Sequence, residues 1–290
     1  MEIKNRTFDE ERALYGQHNI SVLNCRFDGP ADGESALKKS YDVNVRGCFM
    51  NLRYPFWHII NAKIVDTEMT ENCRAALWYD KNIEINKCKM NGIKALRECE
   101  NITIKNSTVN SQEFIWKCKN LTVKNVEINQ SEYPFFEVKN AKITNLKLKG
   151  KYSFQYNENI EIADSYFDTK DAFWHTKNVV VSDSVLKGEY LGWYSENLTL
   201  INCKIIGTQP FCYCKNLVLK NCTTENCDLA FEQSSVSANI YGKIDSIKNP
   251  KSGKIVADEI GEIILEKEFV DASKTEICCK NCGKSPCKYA

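Results

Sequence analysis

The sequence predicts an all-β fold, a single parallel β-helix of about 12 rungs with roughly 19 residues and three short strands in each. Three observations carry this expectation. Asn recurs at positions 61, 82, 101, 120, 140, 159, 178, 197 and 216, in steps of 19 to 21 residues, with Asn19 and Asp42 upstream and Asn239 downstream. Directly after each marker, apolar and polar residues alternate: Ile102 and Ile104 against Thr103, Leu121 and Val123 against Thr122. That is the period of a strand, not of a helix. Five residues beyond the marker stands a second turn former, such as Asn106, Asn125, Asp164, Asp183 or Asn202. Asn and Asp tolerate the left-handed backbone of a sharp corner. Short strands joined by corners in near-identical phrases stack on themselves at about 4.8 Å, and each rung gains its core only from its neighbours.

Taken in chain order, residues 1–11 read as an N-terminal cap, residues 12–269 as the β-helix with irregular rungs from about 236, and residues 270–290 as a Cys-rich tail. Within a rung the first strand opens at the marker, as in Asn197-Leu198-Thr199-Leu200. After the second corner a short strand brings in a small inward residue (Cys25, Cys48, Cys88, Ser107, Ser184, Cys203, Cys222). A large one follows two later (Phe27, Met50, Met90, Phe167). Gly92, Gly150, Gly188 and Gly207 release the chain into a loop, and a third strand precedes the next marker, as in Ala172-Phe173-Trp174-His175. The residue before the marker mostly alternates in sign (Lys81, Glu100, Lys119; Glu158, Lys177, Glu196, Lys215), which opposes slips in register.

Composition narrows the function classes. Lys and Arg number 39 against 38 Asp and Glu, so no field of one sign exists to attract nucleic acid or an anionic membrane. No apolar run is long enough to span a bilayer, and Met1-Glu2-Ile3-Lys4-Asn5-Arg6 lacks the apolar stretch of a secretory signal. The expected location is cytoplasmic, where the 15 cysteines remain thiols and serve as small buried hydrophobes. Nothing in the chain specifies an oligomeric state.

The phrase Asn197-Leu198-Thr199-Leu200-Ile201-Asn202-Cys203-Lys204-Ile205-Ile206-Gly207 resembles a rung of the right-handed β-helices of the pectin-lyase-like superfamily. The resemblance implies a right-handed coil over roughly residues 12–235. More narrowly, Phe27-Asp28-Gly29-Pro30-Ala31-Asp32-Gly33-Glu34-Ser35-Ala36-Leu37-Lys38 is similar to a signature of a bacterial β-helix family with no assigned function. So are Leu52-Arg53-Tyr54-Pro55-Phe56-Trp57-His58, Ser252-Gly253-Lys254-Ile255-Val256-Ala257-Asp258 and Ile260-Gly261-Glu262-Ile263-Ile264. This narrower likeness spans the chain and implies no activity. The Asn-Thr-Asp, Asp-Asp, Gly-His-Gly and Arg-Ile-Lys motifs of polygalacturonase-like members are absent, and fold alone licenses no chemistry.

The third strand supplies the candidate binding residues. Four residues before each marker the column reads Tyr15, Lys38, Trp57, Trp78, Arg97, Trp116, Phe136, Gln155, Trp174, Trp193, Cys212, and it holds all five tryptophans. If the apolar column one residue earlier points inward, strand alternation sends the tryptophans out. The ligand-binding set is then Trp57, Trp78, Arg97, Trp116, Lys117, Trp174, His175 and Trp193, facing an extended ligand, carbohydrate by preference. The competing arrangement turns out the column three before the marker (His58, Tyr79, Glu98, Lys117, Glu137, Tyr156, His175, Tyr194, Tyr213) and leaves the tryptophans as core. Two neighbours both point outward only across a bulge or corner.

Catalytic candidates are Glu98 and Glu137, two rungs apart with Lys117 between, and the loop group Asp28, Asp32 and Glu34 with His58. A carboxylate pair roughly 9–10 Å apart suits an inverting glycosidase, but Lys117 would hold both groups ionised. In the tail, Cys278, Cys279, Cys282 and Cys287 carry a zinc-knuckle spacing, making zinc the candidate cofactor. The leading expectation is a non-catalytic binding or scaffold protein. A polysaccharide hydrolase or lyase and a metal- or redox-responsive interaction protein are the alternatives.

Overall fold

The computed structural model describes residues 1–281 and the backbone of Lys288 and Tyr289. The chain is an all-β parallel solenoid of about 15 turns with almost no helix, against the 12 or so expected. The additional turns lack an Asn marker. One is formed by Glu2–Lys4 and Thr7–Phe8, which pair in parallel with His18–Leu23 and Arg26–Phe27, so residues 1–11 build a turn of their own. The others are Ser252–Ile264 and Thr275–Cys279, and the latter lies within the expected tail. Two compact units are present, Met1–Gly150 and Lys151–Ala290.

In the first unit, His18–Leu23, Tyr41–Arg46, Ile60–Val65 and Lys81–Asn86 are six-residue strands forming one side. Like stands over like: Ile83 opposes Ala62 on one neighbour and Ile102 on the other, and Ile85 opposes Ile64 and Ile104. The inward residues of these strands are sealed from water, with Val22, Val45, Ile64, Ile85 and Ile104 at 0% exposure. The marker residues adopt positive φ, 56° at Asn61 and 57° at Asn120, as the corner requires. Their amides also join turn to turn: Asn61 Nδ2 donates to Asp42 Oδ1 at 3.0 Å, Asn82 to Asn61 at 2.8 Å, Asn101 to Asn82 at 2.8 Å and Asn120 to Asn101 at 3.0 Å. A second ladder runs through the next corner, Asn106 to Asn86, Asn125 to Asn106 and Asn145 to Asn125.

The second unit repeats the scheme. Glu158–Ala163, Lys177–Ser182 and Glu196–Ile201 pair in parallel, with Val179 between Ile160 and Leu198. Asn178, Asn197 and Asn216 each donate to the marker of the preceding turn at 2.8–3.1 Å. Among the described residues eleven cysteines are free thiols, all buried, and five of them (Cys25, Cys48, Cys88, Cys203 and Cys222) stand in the expected small-residue position. They cap backbone groups in place: Cys48 Sγ accepts from the Cys25 amide at 3.4 Å, and Cys214 Sγ lies 2.7 Å from the Gly192 carbonyl.

The third side is built differently from an extended strand. Only Leu77–Trp78 and Leu96–Arg97 pair as strands, joined by single bridges from Arg97 to Trp116 and Trp116 to Phe136. Elsewhere alternate residues take positive φ: Glu113 (53°), Ile115 (59°) and Lys117 (54°) in one turn, Asp171 (50°), Phe173 (51°) and His175 (54°) in another. Inter-turn amide bonds persist, as from Tyr79 to the Arg97 carbonyl at 3.0 Å. Alternating left-handed residues keep the ladder but break the in–out rule of a flat strand.

Candidate binding face and its charged neighbours

The left-handed residue three before each marker is the corner that lets two adjacent columns face outward. Phe56, Leu77, Leu96, Phe173 and Phe211 are buried; Trp57, Trp78, Trp116, Trp174 and Trp193 are half-buried; His58, Tyr79, Tyr156, His175, Tyr194 and Tyr213 are exposed. Both arrangements weighed from the sequence are therefore partly present. The tryptophans flank the corner and the next column crowns it.

In the first unit the tryptophan column is saturated by its own members. Trp57 and Trp78 stack at 5.0 Å and 5°, Lys38 lies over the outer face of Trp57, and Arg97 is sandwiched 4.8 Å from Trp78 and 4.7 Å from Trp116. Phe136 covers Trp116 at 4.8 Å. The indole N–H groups are used as well: Trp57 donates to the Ala75 carbonyl at 2.6 Å, Trp78 to Lys94 at 2.8 Å and Trp116 to Tyr133 at 2.8 Å. Ring faces and donors are committed to neighbouring turns, so this column binds the solenoid to itself. Glu113 fixes Arg97 at 3.1 Å.

The second unit carries an exposed ladder. Tyr156, His175, Tyr194 and Tyr213 stack at 5.3, 5.0 and 4.8 Å with interplanar angles of 5–8°. Stacking hides the faces and leaves a row of ring edges, phenol hydroxyls and imidazole nitrogens toward solvent. Burial pushes the His175 imidazole below its ordinary pKa, so it presents a neutral ring. Trp193 supports the row edge-on, 6.0 Å from Tyr213, and donates to the Gln209 carbonyl at 3.2 Å.

No described ring follows Tyr213. In the next turn Glu232 and Gln233 stand in its place, and a cleft of about 900 Å3 opens there. Tyr194, Tyr213, Lys215, Lys248, Lys251 and Phe269 are among its lining. Its far wall, around Glu266 to Phe269, is pinned by Gln233 Nε2 donating to the Phe269 carbonyl at 3.0 Å and by paired bonds between Asn249 and Glu266. Tyr213 was visible in the sequence as a member of its column. The cleft was not, because its wall comes from a stretch outside the repeat.

The catalytic candidates fall into two places. Glu98, Lys117 and Glu137 occupy successive exposed corners, and Lys117 Nζ lies 3.9 Å from Glu137. Asp28 accepts from Asn51 Nδ2 and pairs with Arg26, each at 2.8 Å, and these bonds hold its carboxyl below the usual range. Arg53 gathers Asp32 at 3.1 Å and Glu34 at 3.7 Å. The loop acids are thus neutralised by two arginines. His58 is apart from them, stacked on Tyr79 at 4.9 Å, its pKa lowered by burial and by Lys38 and Lys39.

One buried acid escaped sequence reasoning. Asp80 sits two before its marker, in a column that also holds Ser40, Ile59, Cys99 and Cys118, and is fully buried. Its Oδ1 accepts from the Ile59 amide at 2.8 Å while Oδ2 has no hydrogen bond. Of the candidate zinc ligands, Cys278 and Cys279 are disulfide-bonded, and Cys282 and Cys287 lie outside the described residues. A disulfide sulfur is not the thiolate that zinc binds. No group of three or more metal-binding side chains occurs among the described residues. No helix among them is long and apolar enough to cross a membrane.

Comparison with known proteins bears on the fold. The chain is similar to PfbA, a surface adhesin of Streptococcus pneumoniae, at 11% identity and a TM-score of 0.47, over 83% of this chain and 82% of that one. It is similar to HetL, a pentapeptide repeat protein involved in heterocyst differentiation regulation in a Nostoc cyanobacterium, at 9% identity and 0.30, over 93% and 92%. A third likeness is to the A-module of the mannuronan C-5 epimerase AlgE4 of Azotobacter vinelandii, at 12% identity and 0.23, over 93% and 80%. At such identities the likeness concerns architecture alone. No curated protein matches the chain. Residues 1–278 match one family profile, and the chain accordingly belongs to the family described as "Protein of unknown function (DUF3737)".

Proposed function

We propose that this protein is a non-catalytic binding solenoid that takes an extended ligand, a carbohydrate by chemistry, along the exposed ring ladder of its second unit. The carrying observation is the ladder Tyr156–His175–Tyr194–Tyr213, whose ring edges meet solvent in a row and whose last ring borders a cleft. Repeating hydroxyl and imidazole groups about 5 Å apart match the repeating hydroxyls of an oligosaccharide, which offers hydrogen-bond partners at each sugar unit. One imidazole and three phenols make the row a polar strip without strong charge. The superfamily reading, a right-handed coil of the pectin-lyase-like type, rests on the rung phrase at Asn197–Gly207. A cytoplasmic location has the eleven buried free thiols in its favour and the disulfide-bonded Cys278 and Cys279, expected as thiols, against it.

A glycan array followed by affinity electrophoresis tests the reading. Binding to at least one oligosaccharide class should fall about tenfold in Tyr194→Ala with Tyr213→Ala, with thermal stability nearly unchanged. Absence of binding to any glycan, or binding indifferent to both substitutions, would remove it. The hydrolase reading finds less support: Glu137 is taken up in a surface ion pair with Lys117 at 3.9 Å.

A further inference from the structure

We infer that the cleft beyond Tyr213 is an anion-selective subsite, which seats one sugar ring between the lining side chains of Tyr213 and Phe269 and its negatively charged substituent on Lys215 and Lys251. The inference rests on the carbohydrate reading above and names the chemistry of the sugar it would select.

The argument is one of unspent groups. Tyr194 covers one face of Tyr213 at 4.8 Å, and the other face has no described ring against it. Phe269, at the opposite wall, keeps 61% of its surface exposed although it belongs to a pinned segment. The exposed ring of Phe269 and the phenol of Tyr213 line one cleft, which suits a flat, partly apolar body. Charge is unspent in the same way. Lys248 is paired with Glu232 at 3.0 Å, and Glu266 is engaged by Asn249 at 2.6 Å. Lys215 and Lys251 also line the cleft, and neither has an ion pair or a side-chain hydrogen bond among the described residues. In the same column as Lys215, Lys81 pairs with Glu100 and Lys177 with Glu196. Lysines outnumber carboxylates in the lining, Lys215, Lys248 and Lys251 against Glu232 and Glu266, and the two ammonium groups free of ion pairs select an anionic partner over a neutral one. A carboxylate, sulfate or phosphate ester on the sugar shares this chemistry.

The experiment measures binding of cellotetraose, a tetraglucuronate and a sulfated carrageenan tetraose by isothermal titration, on the full chain and on the Lys215→Ala/Lys251→Ala and Phe269→Ala variants. At least one acidic tetramer should bind the wild type about tenfold more tightly than cellotetraose, with an affinity that falls as salt rises. The double-lysine variant should lose that preference and its salt dependence while keeping its melting temperature. Phe269→Ala should weaken acidic tetramers with the preference retained. The carboxylated and sulfated arms identify which substituent is preferred. Equal affinity for acidic and neutral tetramers, or an unchanged preference in the double-lysine variant, overturns the inference and leaves the carbohydrate reading standing. Failure of all three tetramers to bind overturns both.

Discussion

Asp80 is a carboxyl held where water cannot reach it, with one oxygen on the Ile59 amide and the other unsatisfied. Burial raises its pKa well above 3.8, and Cys99 nearby adds to the effect. The sign of the consequence is fixed by linkage. Above the unfolded value of 3.8 the unfolded chain releases a proton that the folded chain retains, so stability declines as pH rises from there toward the folded pKa. Asp80→Asn keeps an oxygen for the Ile59 amide and removes the titration. In scanning calorimetry its melting point should gain on the wild type progressively as pH rises above 3.8. Parallel pH profiles for the two proteins would refute this. A second contrast concerns indoles. Trp193 donates its N–H to the Gln209 carbonyl, whereas the buried Trp174 N–H has no acceptor. Replacing each with Phe removes the same atoms but breaks a bond only at Trp193. Trp193→Phe should therefore cost about 1 kcal/mol more than Trp174→Phe in urea unfolding.

At the scale of the element, each corner combines a strained backbone with a ladder of amides, and the two contributions separate by mutation. Asn120 holds φ at 57°, donates to Asn101 and accepts from Asn140 at 3.1 Å. Asn120→Gly relaxes the corner and loses the amide bonds; Asn120→Ala loses the bonds and keeps the strain. Ala should be the more destabilising by about 1 kcal/mol, the reverse of the order within a strand, as measured by denaturant midpoint. The first strand of each turn was legible because its backbone is extended, so alternation in sequence became alternation in space, as at Ile102, Thr103 and Ile104. The third side was legible only in its columns. Left-handed residues such as Ile115 and Phe173, types that seldom adopt that conformation, turned the backbone, and no sequence rule announces them. The same turning exposed Tyr156, Tyr194 and Tyr213 beside the tryptophans, where a flat strand would have forced a choice.

For the molecule as a whole, stability is a sum over turns and their interfaces. The solenoid followed from the repeat, but its two ends did not, since Glu2–Lys4 and Thr275–Cys279 lack the marker and announce no corner. Those end turns cover their neighbours' edges: Thr275 to Cys279 pairs with Gly253 to Ala257. Deleting residues 270–290 should leave a β-type far-ultraviolet spectrum of nearly full amplitude but expose that edge, giving concentration-dependent association in sedimentation velocity. A collapse of the whole spectrum would show that the last turn is needed to nucleate the rest. The eleven interior thiols add a consequence of their own. Spread through both units and inert while enclosed, as Cys73 is with its thiol pushed far up by burial, each becomes alkylable only when its own turn opens. Timed labelling read by mass spectrometry would rank the turns by how often they come apart, using reporters the chain already carries.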